Sequence, residues 1–193
     1  MSVVAPALLL AAFASLPATL EFSWDTLPQF FHSQNASGPW SAAALAVISK
    51  YQLATFEKCH RGCNNGISIE ERNAAACNAV NSASGGSTAS VYYLNSLIDY
   101  AMFTPLADLL QSHPEYRLRD TAGHDIHVQG ANVGYNLSVA AIRDAWVADC
   151  TAAIDAGCSA CYIDKSNNLG QFGDMSAAQA SMFYAAHRAT LPR

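Results

Sequence analysis

The hydrophobic pattern changes period repeatedly along the chain. Short apolar, β-branched or aromatic runs predict strands at LEFSW (20–24), QLATFEK (52–58), ASVYYLNS (89–96), YRLRD (116–120) and CSACYID (158–164), with ASVYYLNS the clearest. Stretches with apolar residues at helical spacing lie between and after them. SAAALAVISKY (41–51) is one. Residues 68–83 open on Ser68 with Glu70 and Glu71 close behind, a helix-start pattern, and SGGST (84–88) ends them. TPLADLLQSH (104–113) tolerates Pro105 in its first turn, and VAAIRDAWVADCTAAIDAG (139–157) stops at Gly157. A last helix is expected over 176–189. Asp25 to Trp40, CHRGCNNG (59–66), TAGHDIHVQG (121–130) and Lys165 to Gly173 read as loops.

Strand, loop and helix thus alternate about five times at a spacing of roughly 35 residues, which predicts an α/β fold with a mainly parallel sheet. Short apolar strands suit a sheet covered on both faces. Acidic residues recur just past the strands: Asp25, Glu57, Asp99, Asp120 and Asp164. In a parallel βα fold the C-terminal strand ends share one face, and active sites form there. Carboxylates gathered in that way suit glycosidic bond cleavage, which uses one protonated acid and one ionised partner on opposite sides of the bond. Asp164 is the first catalytic candidate, because it ends the strand that reads as most buried. Glu57 is the second, and Asp120 or Asp99 the fallback. Asp120 sits beside Arg119, and contact between them would favour its ionised form. Each of these carboxylates could equally cap a helix or bind a loop amide. Candidate substrate contacts are Trp24, Asp25, His32, Lys58, Tyr93, Asn95, Asp99, Arg119 and Asn167, since sugar sites combine aromatic faces with a few directed polar groups. Trp40 and Tyr92 flank the same positions, whereas Trp146 and Phe183 read as core.

Composition narrows the function classes. The 193 residues are 51% apolar and 13% charged, enough for a real core. The net charge is -5 and no basic run occurs, so nothing marks a nucleic-acid partner. Residues 3–16, VVAPALLLAAFASL, followed by Pro17 and Ala18, resemble the apolar and cleavage regions of a secretory signal, which places a signal peptide at 1–19 and the domain at 20–193. The run is shorter than a membrane span, so no membrane anchor is expected.

Six cysteines in a secreted chain suggest disulfides. They fall into two groups, 59/63/77 and 150/158/161, and pairing mostly within the groups is expected. Cys158-x-x-Cys161 begins a strand instead of opening a helix, which is wrong for a thioredoxin-type redox pair. A zinc site would have to borrow Cys59, His60 or Cys63 from a distant segment. SASGGSTAS lacks the lysine of a phosphate-binding loop, and there is no Gly-x-Ser-x-Gly elbow. No cofactor is implied. The sequons at Asn35 and Asn136 fit a secreted glycoprotein.

Taken in order, FSWDTLPQFFHSQNASGPWS, ATFEKCHRG, VYYLNSLIDY, HPEYRLRD and AWVADCTAAIDAGCSACYIDKSN resemble a group of secreted glycoside-hydrolase-like proteins with a (β/α)₈ barrel. The resemblance touches most of residues 21–168. It implies a substrate crevice at the strand ends, a carbohydrate ligand, and Asp164 of YID with Glu57 of FEK as site residues. A full barrel takes about 250 residues. About five βα units are countable here, so the expectation is a partial TIM barrel, apparently truncated. Three functions compete: an extracellular hydrolase of O-glycosidic bonds, a secreted carbohydrate-binding or structural protein, and an inactive fragment.

Overall fold

The computed structural model describes residues 29–35, 38–58, 67–127 and 130–165. Four parallel strands form its centre: β1 (Phe30–Ser33), β2 (Leu53–Phe56), β3 (Ala89–Asn95) and β6 (Ala160–Asp164), in the order β1-β2-β3-β6. The fold is therefore α/β with a parallel sheet. Helices α1 (Ala42–Ile48), α2 (Ile69–Ser84), α3 (Thr104–Ser112) and α4 (Ala140–Asp155) connect the strands. A short antiparallel excursion, β4 (Ile98–Asp99) with β5 (Val133–Gly134), interrupts the β3-to-β6 connection.

Local sequence explains the helix limits. The hydroxyl of Ser68 accepts from Glu71 N, and the Glu71 carboxylate accepts from Ser68 N, so α2 starts on a reciprocal capping box. It stops at Gly85, whose φ of 59° is the left-handed cap that a glycine adopts without penalty. Ile69, Asn73, Ala76, Cys77 and Val80 form its buried stripe. Helix α4 buries Ile142, Trp146, Asp149 and Ala153 at the same spacing. Gly157 follows it at φ 113°, and a Cβ there would lie 2.2 Å from Asn78 Oδ1. That close approach is used: Asn78 Nδ2 donates to Ala156 O at 2.8 Å and Asn81 Nδ2 to Gly157 O at 2.7 Å, tying α2 to the α4–β6 turn.

Register sets the two faces of the sheet. Tyr93 lies opposite Tyr162 and Asn95 opposite Asp164, while Tyr92 lies opposite Phe56 and Cys161. With a side-chain period of two, Phe56, Tyr92 and Leu94 face the helices, and His32, Tyr93, Asn95, Tyr162 and Asp164 share the other face. The helix-side core joins Phe56, Tyr92, Leu94, Leu106, Leu110, Ile142 and Trp146, all nearly inaccessible. Each such side chain contributes about 1.5–3 kcal/mol by leaving water.

Several expectations change. The stretch from Asp25 to Trp40 is not all loop, because β1 forms within it, held in register by β2. YRLRD does not join the parallel sheet. Arg117 and Arg119 make antiparallel bridges to Tyr135 and Asp125, so the short polar run completes the excursion instead. The strand ending in Asp164 is not the most buried. It lies at the edge of the described parallel sheet, and β3 is the strand of that sheet with every residue buried. Cys77 pairs with Cys158 across the two cysteine groups, because α2 is tied to the α4–β6 turn that carries Cys158, while Cys150 pairs with Cys161 within its group. Both cysteines of the Cys-x-x-Cys are therefore in disulfides, which fits an oxidising compartment. Residues 1–19, strand 20–24, Trp24, Asp25, Cys59, His60, Cys63, Asn167, Phe183 and helix 176–189 lie outside the described residues.

Candidate active site

The C-terminal strand ends bring together residues from β1, β2, β3 and β6. β1 supplies His32. The residues just past β2 are Glu57 and Lys58, β3 supplies Tyr93 and Asn95, and β6 ends on Asp164. His32 Nε2 lies 2.5 Å from Glu57 Oε1, and Lys58 Nζ donates to Glu57 Oε2 at 3.3 Å. Lys58 also donates to Tyr93 Oη at 3.2 Å, and Tyr93 in turn donates to Asp164 Oδ2 at 2.5 Å. Asn95 Nδ2 reaches Tyr93 Oη at 3.2 Å and Asp164 Oδ2 at 3.1 Å. One continuous chain of polar contacts therefore runs from His32 to Asp164.

The backbone fixes this network. Asn95 Oδ1 accepts from Leu97 N at 2.9 Å and Ile98 N at 2.7 Å, so its amide can only point Nδ2 at the cluster. Trp146 Nε1 donates to Asn95 O at 3.3 Å and anchors the same strand end. Ser96 N and Oγ both donate to Asp164 O. Lys165 then takes φ 64°, which turns the chain away and sets its N–H 2.8 Å from Asp164 Oδ1. A non-glycine residue in that region is strained and commonly marks a functional position.

The electrostatics separate the roles. Burial and the hydrogen bond to Asp164 push the Tyr93 hydroxyl far up, so Tyr93 stays a proton donor. Its oxygen accepts from Lys58 and Asn95, which fills both lone pairs and leaves its single proton for Asp164. Asp164 is thus an acceptor at both oxygens. Burial raises the Glu57 carboxyl, but the hydrogen bond from His32 and the charge of Lys58 outweigh it and hold Glu57 below its ordinary range. Lys58 is buried, with its ammonium 4.4 Å from the Tyr93 ring centroid and 4.7 Å from that of Tyr100. Paired with Glu57 and faced by two rings, the buried charge is compensated. Burial, with Asp164 and Glu57 nearby, pushes the Tyr100 hydroxyl up to about 12.

An aromatic platform adjoins the polar chain. Tyr93 and Tyr162 stack with centroids 6.1 Å apart, Phe30 and Tyr162 at 6.4 Å, and His32 meets Tyr162 edge-on at 5.5 Å. Phe30 and Tyr162 are 45% and 38% exposed, so apolar ring faces are open to a ligand beside the carboxylates.

Of the residues expected from sequence, His32, Glu57, Lys58, Tyr93, Asn95 and Asp164 converge. Three others are placed elsewhere. Asp99 is buried on the excursion, where it accepts from Ala101 N at 2.8 Å and Tyr135 Oη at 3.4 Å, and burial raises its carboxyl. Asp120 closes its own turn by accepting from Ala122 N and His124 N. Those bonds, led by His124 N, hold its carboxyl low. The expected Arg119 contact goes to Asp125 at 3.2 Å, not to Asp120. Sequence reasoning passed over Phe30, Tyr100 and Tyr162. Tyr162 was reachable, because it precedes Asp164 by two positions and a strand returns to the same face every second residue.

No family model and no characterised protein sequence matches the chain. Among solved structures it is similar to the glycoside hydrolase domain of PelA from Pseudomonas aeruginosa, with 11% identity and a TM-score of 0.53 over 83% of this chain and 51% of that one. It is also similar to TtGalA, an alpha-galactosidase from Thermus thermophilus, with 10% identity and a TM-score of 0.53 over 84% of this chain and 36% of that one. The likeness is one of fold, that of glycoside hydrolase domains. The chain spans about half the length of the first structure and little over a third of the second.

Proposed function

We propose that this protein is a secreted glycoside hydrolase that cleaves O-glycosidic bonds, with Asp164 and Glu57 as its catalytic carboxylates. The observation that carries the reading is the convergence of both carboxylates, from different strands, onto one polar chain at the sheet edge where such folds place their chemistry. Asp164, an acceptor at both oxygens, suits the nucleophile or base. Glu57, held low by His32 and Lys58, suits an ionised partner instead of the acid, and His32, whose Nε2 it holds at 2.5 Å, suits the proton donor to the leaving oxygen. Lys58, Tyr93 and Asn95 are positioning residues, and Phe30 and Tyr162 offer ring faces for a sugar to stack on. Two disulfides, the sequons and the N-terminal apolar run support a secretory route.

A second reading is a carbohydrate-binding protein without hydrolysis. It is favoured by Lys58, which lies between the two carboxylates and neutralises Glu57 in the ground state. Reducing-end release from a polysaccharide panel, measured on the native protein and on Asp164→Asn, separates the two. Hydrolysis by the native chain that falls at least ~100-fold in the variant, with unchanged melting, supports catalysis. Full turnover in the variant removes Asp164 from the mechanism, and binding without turnover in both favours the second reading.

A further inference from the structure

Among the described residues two that are not glycine take a positive φ, Lys165 at 64° and Ala101 at 53°. Lys165 turns the chain beside Asp164. Ala101 lies just past β4, away from the polar chain. An alanine in the left-handed region is strained by its Cβ, and such residues persist where the surroundings hold them. The holding contact is Asp99, whose Oδ1 accepts from Ala101 N at 2.8 Å. The fully buried Tyr135 hydroxyl donates to the same oxygen at 3.4 Å. Asp99 is itself buried, and burial raises its carboxyl against those two bonds. A strained alanine and a buried carboxyl thus maintain one turn.

The residue between them is Tyr100, and the turn carries its ring to the site. The ring centroid lies 4.7 Å from Lys58 Nζ, and that of Tyr93 lies at 4.4 Å. Lys58 donates to Glu57 Oε2 at 3.3 Å and to Tyr93 Oη at 3.2 Å. Both bonds are long for an ammonium, whose charge-assisted bonds to carboxylates run ~2.7–2.9 Å. Lys58 is only 6% exposed, so water holds little of it. The ring faces therefore take a larger share in placing the ammonium, and cation–π attraction grows as the cation is desolvated. Tyr93 is fixed by its own bond to Asp164, whereas Tyr100 is placed by the Asp99 turn.

We infer that Tyr100 is a positioning residue of this site, its ring, delivered by the Asp99-braced turn, fixing the Lys58 ammonium against Glu57. Against burial, and after the hydrogen bond from His32, the charge of Lys58 holds Glu57 low. A turn on the antiparallel excursion thereby helps to keep Glu57 ionised. Asp99 serves the site through Tyr100 without touching a substrate. The consequence for turnover rests on the hydrolase reading, and the consequence for Glu57 does not.

The test compares Tyr100→Phe, which keeps the ring, with Tyr100→Leu, which removes it, in the full chain. Protons above a ring face resonate upfield. Tyr100→Leu should move the Lys58 Hε resonances downfield and raise the pH at which Glu57 titrates, followed by carboxyl ¹³C NMR. Tyr100→Phe should leave both at their native values. Where the native chain hydrolyses a glycan, Tyr100→Leu should lower kcat roughly ten-fold with KM little changed, and Tyr100→Phe should restore it. Asp99→Asn keeps the acceptor for Ala101 N and should behave as the native chain. Asp99→Ala should reproduce the Tyr100→Leu shifts and add nothing to them in the double variant. Native Lys58 and Glu57 resonances in Tyr100→Leu overturn the inference. So does an equal displacement in Tyr100→Phe, which would assign the effect to the hydroxyl. Should Asp99→Ala not fold, the two Tyr100 variants decide. The resonances are read without substrate, so their failure is distinct from a failure to hydrolyse glycans.

Discussion

Tyr93 donates its phenolic proton to Asp164 Oδ2 at 2.5 Å, a bond that joins the central strand to its neighbour at the sheet edge. Lys58 and Asn95 both end on the same phenolic oxygen. Tyr93→Phe should therefore disturb three partners at once. It leaves two buried donors short of an acceptor, at a cost of about 1–3 kcal/mol. It also frees the Asp164 carboxylate to turn, which should lower hydrolysis roughly ten- to hundred-fold. Urea unfolding and turnover measured on the same preparation check both. A variant with native stability and native turnover would show that the hydroxyl positions nothing.

His32 holds Glu57 low by its hydrogen bond and its charge. A carboxyl lowered in the folded state adds stability that is present above its unfolded value and is lost as pH falls through the folded one. In His32→Gln the Glu57 carboxyl should titrate at higher pH than in the native chain, followed by carboxyl ¹³C NMR. The stability that this carboxyl adds above its unfolded value should be correspondingly smaller, because the pH window between the unfolded and folded values narrows. A midpoint that stays put, or moves down, would mean that Lys58 alone sets Glu57.

Asp149 behaves in the opposite sense. It is buried on the helix side, with each of its oxygens 3.2 Å from the Tyr92 hydroxyl. Burial, and then the charge of Glu70, push it up from 3.8 to about 6. Glu70 is engaged at Thr104 N at 2.6 Å, but its Oε2 is buried without a partner. The native state thus keeps a proton that the unfolded chain releases between about pH 4 and 6, so this site lowers stability as pH rises through that window, by up to about 3 kcal/mol. Asp149→Asn keeps an acceptor for Tyr92 and removes the charge. It should stabilise the protein at about pH 7.5 and leave it unchanged near pH 4. An equal change in unfolding free energy at both pH values would exclude the ionisation account.

The two disulfides among the described residues close loops of very different length, 81 and 11 residues apart in sequence. Chain entropy makes the longer one worth about 4.5 kcal/mol and the shorter about 3 kcal/mol. Cys77→Ala with Cys158→Ala should therefore destabilise more than Cys150→Ala with Cys161→Ala, as read from urea midpoints. The reverse order would mean that local packing at α4 and β6 outweighs loop closure.

Local rules carried much of the fold. Ser68 with Glu71, the glycine at 85, the run ASVYYLN and the period of α4 determine their elements through short-range hydrogen bonds and side-chain spacing, which a sequence displays directly. Apolar runs that stop at an acidic residue put Glu57 and Asp164 at strand ends, and the run ASVYYLNS carried Tyr93 and Asn95. Tertiary structure decided what required knowing which segments meet. β1, FFHS, is too short to be read alone, and forms because β2 offers it a ladder. Asp99 and Asp120 follow strand-like residues just as Asp164 does, yet the antiparallel excursion carries them into turns of their own. Cys77 meets Cys158, and Lys58 lies between two carboxylates. Each of these depends on side chains distant in sequence being brought within a few ångströms, and hydrophobic spacing along one segment holds no record of the segment packed against it.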